Sequence, residues 1–387
     1  MKHAAIVIPG LDRIGGAERQ VLLLATGLRR RGWRVSVIAL TGSGGSAAAE
    51  LASEDIAFTS LHMRKGVADP SGWLRFYRWV HEEKPDVVHA HLPHPTWLVR
   101  WSRLALSGLA IVDTLHSSST GSRWRHLGYR LSNWLAGSVT AVSEAVAEAH
   151  RSNGLVPAHK LSVIPNGIDM QTFQPCSKTR RSIRRALGLG DEFLWVAAGR
   201  LEAVKDYPTL LRAIRLLPGT THLLIAGAGT LLEPLRVLAS ELNLGDRVRF
   251  LGFVPDVKNY LQAADAAVLS SRWEGLPMNL LEAGACALPV VATDVPGSHE
   301  VVQHESTGLL ATAADPVALA EAMRRLMQKP RAERSAMGAR ARQLVEERYS
   351  LEAVLDQWEQ LYAECLVALP RISRLPQPGS IQSSQPQ

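Results

Sequence analysis

The chain has 387 residues, of which 46% are hydrophobic and 20% charged, and its mean hydropathy is near zero. This length favours two domains of ordinary size, and no apolar run reaches the roughly 20 residues needed to cross a bilayer. The net charge of +7 is concentrated in residues 1–175, which hold 19 Lys and Arg against 13 Asp and Glu, and 7 of the 10 Trp. We therefore expect the first half to meet a partner or substrate suited to basic, aromatic residues.

The first residues and the cysteines favour a cytoplasmic protein. The opening MKHAAIVIPGLDRIGG reaches a proline too soon for the apolar segment of a secretory signal. Cys176, Cys286 and Cys365 are scattered, odd in number and without a C-x-x-C pair. This pattern predicts a chain without a disulfide framework.

Short apolar runs alternate with helical stretches along the first half. Six runs are predicted as strands: AAIVIP (4–9), WRVSVIAL (33–40), DVVHAHL (86–92), AIVDTLH (110–116), SVTAVS (138–143) and LSVIP (161–165). The first helical stretch, AERQVLLLATGLRRRG, has basic residues in its last turn and a glycine as its stop.

The same alternation restarts after a stretch without strand pattern at 166–192. The predicted strands of the second half are FLWVAAGR (193–200), THLLIAGAG, VRFLGF, AAVLSS and PVVATDV. Strands this continuously apolar, separated by helices, indicate parallel sheets covered on both faces. Two such series predict two doubly wound domains, with a ligand cleft at the carboxyl ends of the strands. Periodicity predicts a terminal helix, and composition predicts disorder for the Pro/Ser/Gln-rich residues 370–387.

Two groups at predicted strand ends are candidates for binding a phosphate. Gly15 and Gly16 open the first helix, where backbone N–H groups can approach an anion, although a glycine pair is also ordinary turn chemistry and the full dinucleotide pattern is missing. Arg200 ends the first strand of the second half, and Lys205 follows with Asp206 as a helix N-cap. These two cations can hold a diphosphate; the alternative is two solvated surface cations.

Three histidines lie near predicted strand ends. His89 and His91 share one strand face, and His116 ends the next strand. A zinc site is conceivable, but no further ligand lies at metal spacing. We interpret His89 as structural and regard His91 and His116 as cleft candidates. Since no Asp-x-Asp pair occurs, a metal-held diphosphate is disfavoured.

The stretch RWEGLPMNLLEAGACALPV (272–290) holds two glutamates with seven residues between them. Pro277 suits the first position of a helix, which would put Glu274 in the preceding loop and Glu282 on the second turn. Their backbones would then lie roughly 10 Å or more apart, whereas glycosidase carboxyls lie about 5 or 6.5–9.5 Å apart. The spacing favours a clamp on one extended ligand over an acid/base pair, and two solvated glutamates would not explain the Gly-Leu-Pro loop.

Glu274-Gly275-Leu276-Pro277 through Glu282-Ala283 resembles the E-x7-E motif of the retaining, nucleotide-sugar-dependent glycosyltransferases of the large GT-B family 4. Four more motifs match that family in the same order, over almost the whole chain: Gly15-Gly16-Ala17-Glu18, Ile164-Pro165-Asn166-Gly167-Ile168-Asp169, Gly199-Arg200 with Lys205, and Pro296-Gly297-Ser298-x-Glu300.

The resemblance implies an α/β, GT-B fold: two doubly wound, Rossmann-like domains facing across a cleft. Residues 1–175 would form the acceptor-side domain and 176–349 the nucleotide-sugar-binding domain. The helix of 350–369 would cross back to the first domain.

The resemblance also implies the site. Glu282 would hold the donor ribose and Glu274 the donor sugar, while Arg200 and Lys205 would grip the diphosphate without a metal. The implied donor site comprises Gly15, Gly16, Arg200, Lys205, Glu274, Gly275, Leu276, Pro277 and Glu282. Catalysis is expected from His116, Arg200, Lys205 and Glu274, by front-face displacement in which the leaving phosphate oxygen takes the acceptor's proton. UDP is the nucleotide expected from the resemblance, with GDP or ADP left open, and no cofactor or metal is expected.

The acceptor would lie on the first domain, with His91, Trp97 and Arg123 as candidate contacts. The stretches SGWLRFYRWV, TWLVRWSRLA and SRWRHLGYRLSNW mix Arg with Trp and Tyr, which suits an anionic lipid surface; core tryptophans with a solvated basic face are the alternative. No nucleic-acid fold motif accompanies them. We expect a glycan or polyprenyl-diphosphate-linked acceptor, met on the inner face of the plasma membrane.

Two other functions stay open at this point. One is a sugar-nucleotide epimerase of the same fold, against which the glutamate motif and the Arg200/Lys205 pair argue. The other is a non-catalytic protein that binds nucleotide sugars, against which the intact set of cations and glutamates argues.

Overall fold

The computed structural model describes residues 1–64, 69–106, 108–118 and 123–368. Its strands form two sheets of parallel strands, one on each side of residues 164–192. The first sheet has the strand order β3-β2-β1-β4-β5-β6-β7. Its strands are β1 (His3–Ile8), β2 (Arg34–Ala39), β3 (Ala57–Ser60), β4 (Val87–His91), β5 (Ala110–Leu115), β6 (Ser138–Ala141) and β7 (Leu161–Val163).

The second sheet repeats the same winding with the order β10-β9-β8-β11-β12-β13. Its strands are β8 (Phe193–Ala198), β9 (Thr221–Ala226), β10 (Val248–Gly252), β11 (Ala266–Leu269), β12 (Val290–Thr293) and β13 (Gly308–Ala311). In both sheets the order reverses beside the first strand, and the carboxyl ends of the strands flanking that point form the usual ligand crevice.

Helices follow the strands and cover both faces of each sheet. They are α1 (Gly16–Arg30), α2 (Gly45–Ser53), α3 (Pro70–Glu83), α4 (Pro93–Ser102), α5 (Arg123–Ser132), α6 (Glu144–Ser152), α7 (Ser177–Leu187), α8 (Tyr207–Arg215), α9 (Leu232–Glu241), α10 (Val257–Ala263), α11 (Met278–Ala285), α12 (Pro296–Val301), α13 (Pro316–Gln328), α14 (Arg331–Tyr349) and α15 (Leu351–Ala368).

Alternation along β1 shows why both faces must be covered. Ile6 and Ile8 belong to the apolar core shared with α1 and α15, whereas Ala5 and Val7 belong to a second core with Phe76 of α3. Successive side chains of a strand point to opposite faces, so a strand that is apolar throughout needs a helix layer on each side. The predicted pair of doubly wound domains is confirmed.

Two strands were missed by the sequence analysis, β3 and β13. Both lie at an outer edge of their sheet. The residues of β3 are exposed or only partly buried, and β13 has four residues. Neither carries the long apolar run of a central strand. The predicted boundaries at 175 and 349 stay a prediction, and the predicted disordered tail of 370–387 lies outside the described residues.

The last helix, α15, packs against the first domain after the chain has passed through the second. Trp358 and Tyr362 are buried there against the first sheet. The guanidinium of Arg31, the C-cap of α1, bonds to three carboxylates of α15, those of Glu352, Asp356 and Glu359. All three cysteines are unpaired. Among the helices of the described residues, none has the length and apolarity to cross a membrane.

Candidate functional site

The two sheets present the carboxyl ends of their strands to each other. Gln20, near the start of α1, places its Nε2 3.8 Å from the sulfur of Met278 at the start of α11. A Cβ built on Gly275 would lie 3.5 Å from the carbonyl oxygen of His116. The loops after β1 and β5 therefore face the loop and helix after β11, as the doubly wound fold predicts.

Gly15 and Gly16 open α1 as predicted, and both are exposed. A Cβ on Gly16 would meet nothing within 4 Å, so this loop leaves room for a ligand. The N–H of Gly15 already donates to the carboxylate of Glu18 at 3.0 Å. An incoming anion would therefore compete with Glu18 for that N–H.

His91 and His116 are brought together, with 2.9 Å between Nδ1 of His91 and Nε2 of His116. Burial lowers the pKa of His116 to about 4 and the pKa of His91 well below its ordinary value. Both rings are thus neutral at pH 7, and one donates its N–H to the other. The pair lines a cavity that also includes Asn166 and Trp358, with about 330 Å³ of empty space including its mouth.

His89 has the structural place predicted for it. Thr140 donates to the Asp113 carbonyl, so Thr114 donates to Thr140 and must accept the Nε2–H of His89. The remaining nitrogen of His89, Nδ1, accepts the hydroxyl of Tyr362 at 2.7 Å. This buried chain of hydrogen bonds joins α15 to three strands of the first sheet.

Lys205 and Glu274 form an ion pair, with 2.6 Å between Nζ and Oε1. The hydroxyl of Ser271 donates to the same oxygen at 2.5 Å. Both charged side chains are largely buried, whereas Arg200 is 73% exposed and bonds to Glu202. The sequence analysis assigned Lys205 and Glu274 to different parts of the ligand without foreseeing that they bond to each other. Within the described residues, Oε2 of Glu274 has no hydrogen-bond donor.

Glu282 lies on the second turn of α11, half-buried in the cleft within the field of Arg19 on α1. Burial raises the pKa of its carboxyl to about 7, against a smaller opposing effect of Arg19 on α1. No group among the described residues donates a hydrogen bond to this carboxyl. A carboxyl that the cleft partly desolvates and that has no hydrogen-bond donor is costly to ionise unless a ligand supplies a donor. This position makes Glu282 a candidate for binding ligand hydroxyls.

The structure describes four other predicted positions, whose roles in binding stay predictions. The helix begins at Met278, so Pro277 is its N-cap and not its first residue, and Leu276 is buried. Trp97 is half-buried between α4 and α5, where a Cβ on Gly128 would lie 2.8 Å from its ring; its contact with an acceptor stays a prediction. Of Arg123 only the backbone, at the start of α5, is described; its side chain lies outside the described residues.

The sequence analysis did not name Gln20 or Ser143, and it quoted Glu300 in a motif without giving it a contact. The amide of Gln20 pairs with both backbone groups of Gly167, at 2.9 and 3.0 Å, and so fixes the Asn166–Gly167 motif to α1. Ser143 and Glu300 make hydrogen bonds between the domains. Their partners are more than 130 residues away in the chain, so no local pattern could reveal these contacts. No group of three His, Cys, Asp or Glu side chains that could hold a metal occurs in the described residues.

Comparisons with known proteins agree with this geometry. Residues 14–172 match the family model described as Glycosyltransferase Family 4, and residues 179–344 match Glycosyl transferases group 1. The lipopolysaccharide core biosynthesis glycosyltransferase LpsD of Rhizobium meliloti is 29% identical over 90% of this chain and 95% of its own.

Two further similarities extend the comparison. The Escherichia coli UDP-Gal:alpha-D-GlcNAc-diphosphoundecaprenol alpha-1,3-galactosyltransferase is 27% identical, over 63% of this chain and 67% of its own. The crystal structure of Anabaena HepE in complex with UDP and glucose superposes with a TM-score of 0.83 at 21% identity, covering 94% of this chain and 100% of that one. At this identity the structural likeness shows the fold.

Proposed function

The chain belongs to the group 1 glycosyltransferases of family 4, and from that premise we propose that it moves a hexosyl group from a UDP-sugar to a lipid-linked glycan acceptor with retention. The family makes it a glycosyltransferase of the hexosyltransferase type, which sets aside the epimerase and the non-catalytic alternatives. The donor, the acceptor and the stereochemical course are the proposal.

The observation that carries the proposal is the unpartnered carboxyl of Glu282, facing Arg19 across the cleft. A ribose with two adjacent hydroxyls supplies the donors that this carboxyl lacks. Hydrogen bonds from the ribose hydroxyls favour the ionised form of Glu282, so the bound nucleotide would offset the desolvation of this carboxylate in the free protein.

The Lys205–Glu274 ion pair then acts as one unit. Lys205 keeps two ammonium N–H groups for the diphosphate, and Glu274 keeps Oε2 for a hydroxyl of the donor sugar. Arg200, exposed at the end of β8, supplies a second cation, and the start of α1 at Gly15 and Gly16 a third positive region. In this proposal these groups stabilise the departing diphosphate without a metal.

The reaction needs no protein nucleophile. The bond between the anomeric carbon and the phosphate oxygen breaks, and the acceptor oxygen bonds to that carbon on the same face. The acceptor's proton moves to the leaving phosphate oxygen. His116, held by His91 at 2.9 Å, would lie against the donor sugar as a neutral hydrogen-bonding group. Catalysis comes from positioning and from stabilisation of charge.

Two relatives support the substrate classes. The name of the Escherichia coli enzyme specifies UDP-galactose and a diphosphoundecaprenol-linked sugar, and HepE was crystallised with UDP and glucose. These names favour a UDP-sugar donor and a lipid-linked acceptor for this chain.

The surface of the first domain supports an acceptor held at a membrane. Trp124, Leu127, Leu131 and Trp134 are exposed at spacings of three and four residues, and we call them the α5 stripe. Between Asp86 and Glu144 the sequence has one acidic residue, Asp113, which is buried, against five arginines, of which Arg100 is its buried partner. An apolar stripe on a basic, acid-free surface suits peripheral contact with an anionic bilayer.

A panel of nucleotides and nucleotide sugars tests the proposal by thermal shift, followed by transfer from the best donor to polyprenyl-diphosphate-linked sugars. UDP and one UDP-sugar should raise the melting temperature, because a ligand that binds only the folded form stabilises it. Stabilisation by GDP or ADP alone would overturn the donor, and transfer only to acceptors without lipid would overturn the acceptor.

A further inference from the structure

Glu300, the last residue of the Pro296–Glu300 motif, reaches from the second domain to the first. Its carboxylate accepts the backbone N–H of Glu144 at 2.9 Å and of Ala145 at 2.8 Å. These are the first two N–H groups of α6, which have no partner within their own helix. A negative charge there also interacts favourably with the helix dipole.

Ser143 makes a second bond between the domains at the same place. Its hydroxyl donates to the carbonyl of Gly275 at 2.8 Å and accepts the N–H of Val146 at 3.1 Å. Ser143 is buried. The loop that begins with Glu274 is thereby tied to the N-terminus of α6.

The Glu274 loop is also held from its other side. A Cβ on Gly297 of α12 would lie 2.5 Å from the carbonyl oxygen of Gly275, and one on Gly275 would lie 3.2 Å from Val146. The loop therefore fills the space between α12 and α6 with little freedom. The hydroxyl of Tyr349 donates to the backbone carbonyl of Glu300 at 2.8 Å and fixes α12 in turn.

We propose that Glu300 and Ser143 form an interdomain latch that places the Glu274–Lys205 pair for transfer whenever the domains close. The inference rests on the proposed function for what the pair binds. The bonds of the latch join two domains, so opening the cleft must break them and hydrate the first N–H groups of α6. Glu300 is thus a positioning residue, acting through the loop of Glu274.

The test compares Glu300→Gln with Asp315→Asn. Asp315 accepts two N–H groups at the start of α13, at 2.9 and 3.0 Å, within its own domain. One oxygen of Asp315 accepts both N–H groups, so the amide of Asp315→Asn can keep both bonds while losing the charge. Glu300 accepts through both of its oxygens, so Glu300→Gln also takes the acceptor from one N–H group between the domains. Asp315→Asn therefore controls for the loss of a negative charge at a helix N-terminus. Ser143→Ala independently removes the other hydrogen bond between the domains.

Hydrogen exchange at Glu144 and Ala145 is measured first, because it does not depend on activity. We expect faster exchange in Glu300→Gln, no change in Asp315→Asn, and a larger radius of gyration for Glu300→Gln in solution scattering. Unchanged exchange in Glu300→Gln would overturn the latch, even if the protein proves to transfer no sugar.

Kinetics then test the link to the site. We expect Glu300→Gln and Ser143→Ala to lower kcat by about tenfold or more, since small displacements of a site are costly, with UDP affinity within about twofold of the parent. Equal losses in Asp315→Asn would overturn the positioning role. If the parent transfers no sugar, the proposed function fails while the exchange result still decides the latch.

Discussion

The carboxyl of Glu282 costs the free protein stability at neutral pH. Its pKa is raised from 4.5 to about 7 in the folded state because of burial. The folded protein therefore binds a proton more tightly than the unfolded chain does, and its stability falls as pH rises from about 4.5 through about 7. Above that range the whole penalty, on the order of 3 kcal/mol, is present.

Glu282→Gln should accordingly stabilise the unliganded protein more at pH 8 than at pH 5. The amide is neutral at both pH values, so it avoids the penalty of the ionised acid. Thermal or urea unfolding of parent and variant at the two pH values measures this difference. An equal gain in stability at pH 5 and pH 8 would show that ionisation of Glu282 does not destabilise the folded protein.

Binding of UDP should separate the two glutamates of the clamp. Glu282→Gln loses charge-assisted bonds to the ribose and should weaken UDP about tenfold or more. Glu274→Gln removes a negative charge beside Lys205, so UDP should bind as well or better, while kcat falls. Calorimetry with UDP and steady-state kinetics give both quantities. Equal weakening of UDP would refute the division of roles.

Turnover should persist in EDTA. Arg200, Lys205 and the start of α1 can supply the positive charge that a metal would provide. Rates are compared in EDTA and in added Mg²⁺ or Mn²⁺. Activity lost in chelator and restored by a divalent ion would exclude the metal-free account.

For single residues of the site, the sequence predicted which side chains take part but not which hydrogen bonds and ion pairs they form. Strand ends and helix starts pointed to Arg200, Lys205 and Glu282 because the carboxyl ends of parallel strands meet. The ion pair of Lys205 with Glu274 and the pairing of Gln20 with Gly167 join residues 69 and 147 positions apart. Such contacts depend on how the loops and domains meet, which periodicity does not specify.

Among the elements, α5 carries the most distinctive surface. Trp124 of α5 is 79% exposed and Trp134, just after α5, is 65% exposed; these side chains are the basis of the proposed contact with a bilayer. Trp124→Ser with Leu127→Ser should reduce sedimentation with anionic vesicles at low salt, and binding of the parent should fall as ionic strength rises.

Val237→Ser serves as the control for this test, because Val237 is an exposed apolar residue on α9 of the other domain. It should sediment like the parent. Equal binding of the parent to neutral vesicles would reject the electrostatic part of the proposal.

Beneath α5 lies a fully buried ion pair between Arg100 of α4 and Asp113 of β5, at 2.7 Å. Arg100 also donates to Ser132 and Asn133. Arg100→Met leaves the Asp113 charge uncompensated and should cost about 3–5 kcal/mol, whereas Arg100→Met with Asp113→Leu should recover much of this. Urea unfolding measures both; equal stability of the single and double variants would contradict the account.

Central elements were predictable because their patterns are local. Continuous apolar runs identified β1 and β8, and a glycine pair marked the start of α1. Strand β3 was missed because its residues are exposed or only partly buried, and β13 because its apolar run is only four residues long. Helix α11 begins one residue later than predicted, since proline at the N-cap and proline at the first position look alike in sequence.

For the whole molecule, the two windings and the cleft followed from the order of strands and helices. The contacts between the two domains could not be predicted from that order. The contacts of Ser143 and Glu300 depend on the angle between two bodies, and that angle arises from surfaces distant in sequence.

The return of α15 to the first domain determines when that domain can be completed during synthesis. Trp358 and Tyr362 belong to its core, and Tyr362 begins the chain of bonds through His89. When the ribosome has synthesised both sheets, α15, which completes the core of the first domain, has therefore not yet been made. The nascent first domain must keep an apolar groove uncovered while the second is translated. Termination shortly before residue 350 would leave that groove permanently open to aggregation or to chaperones.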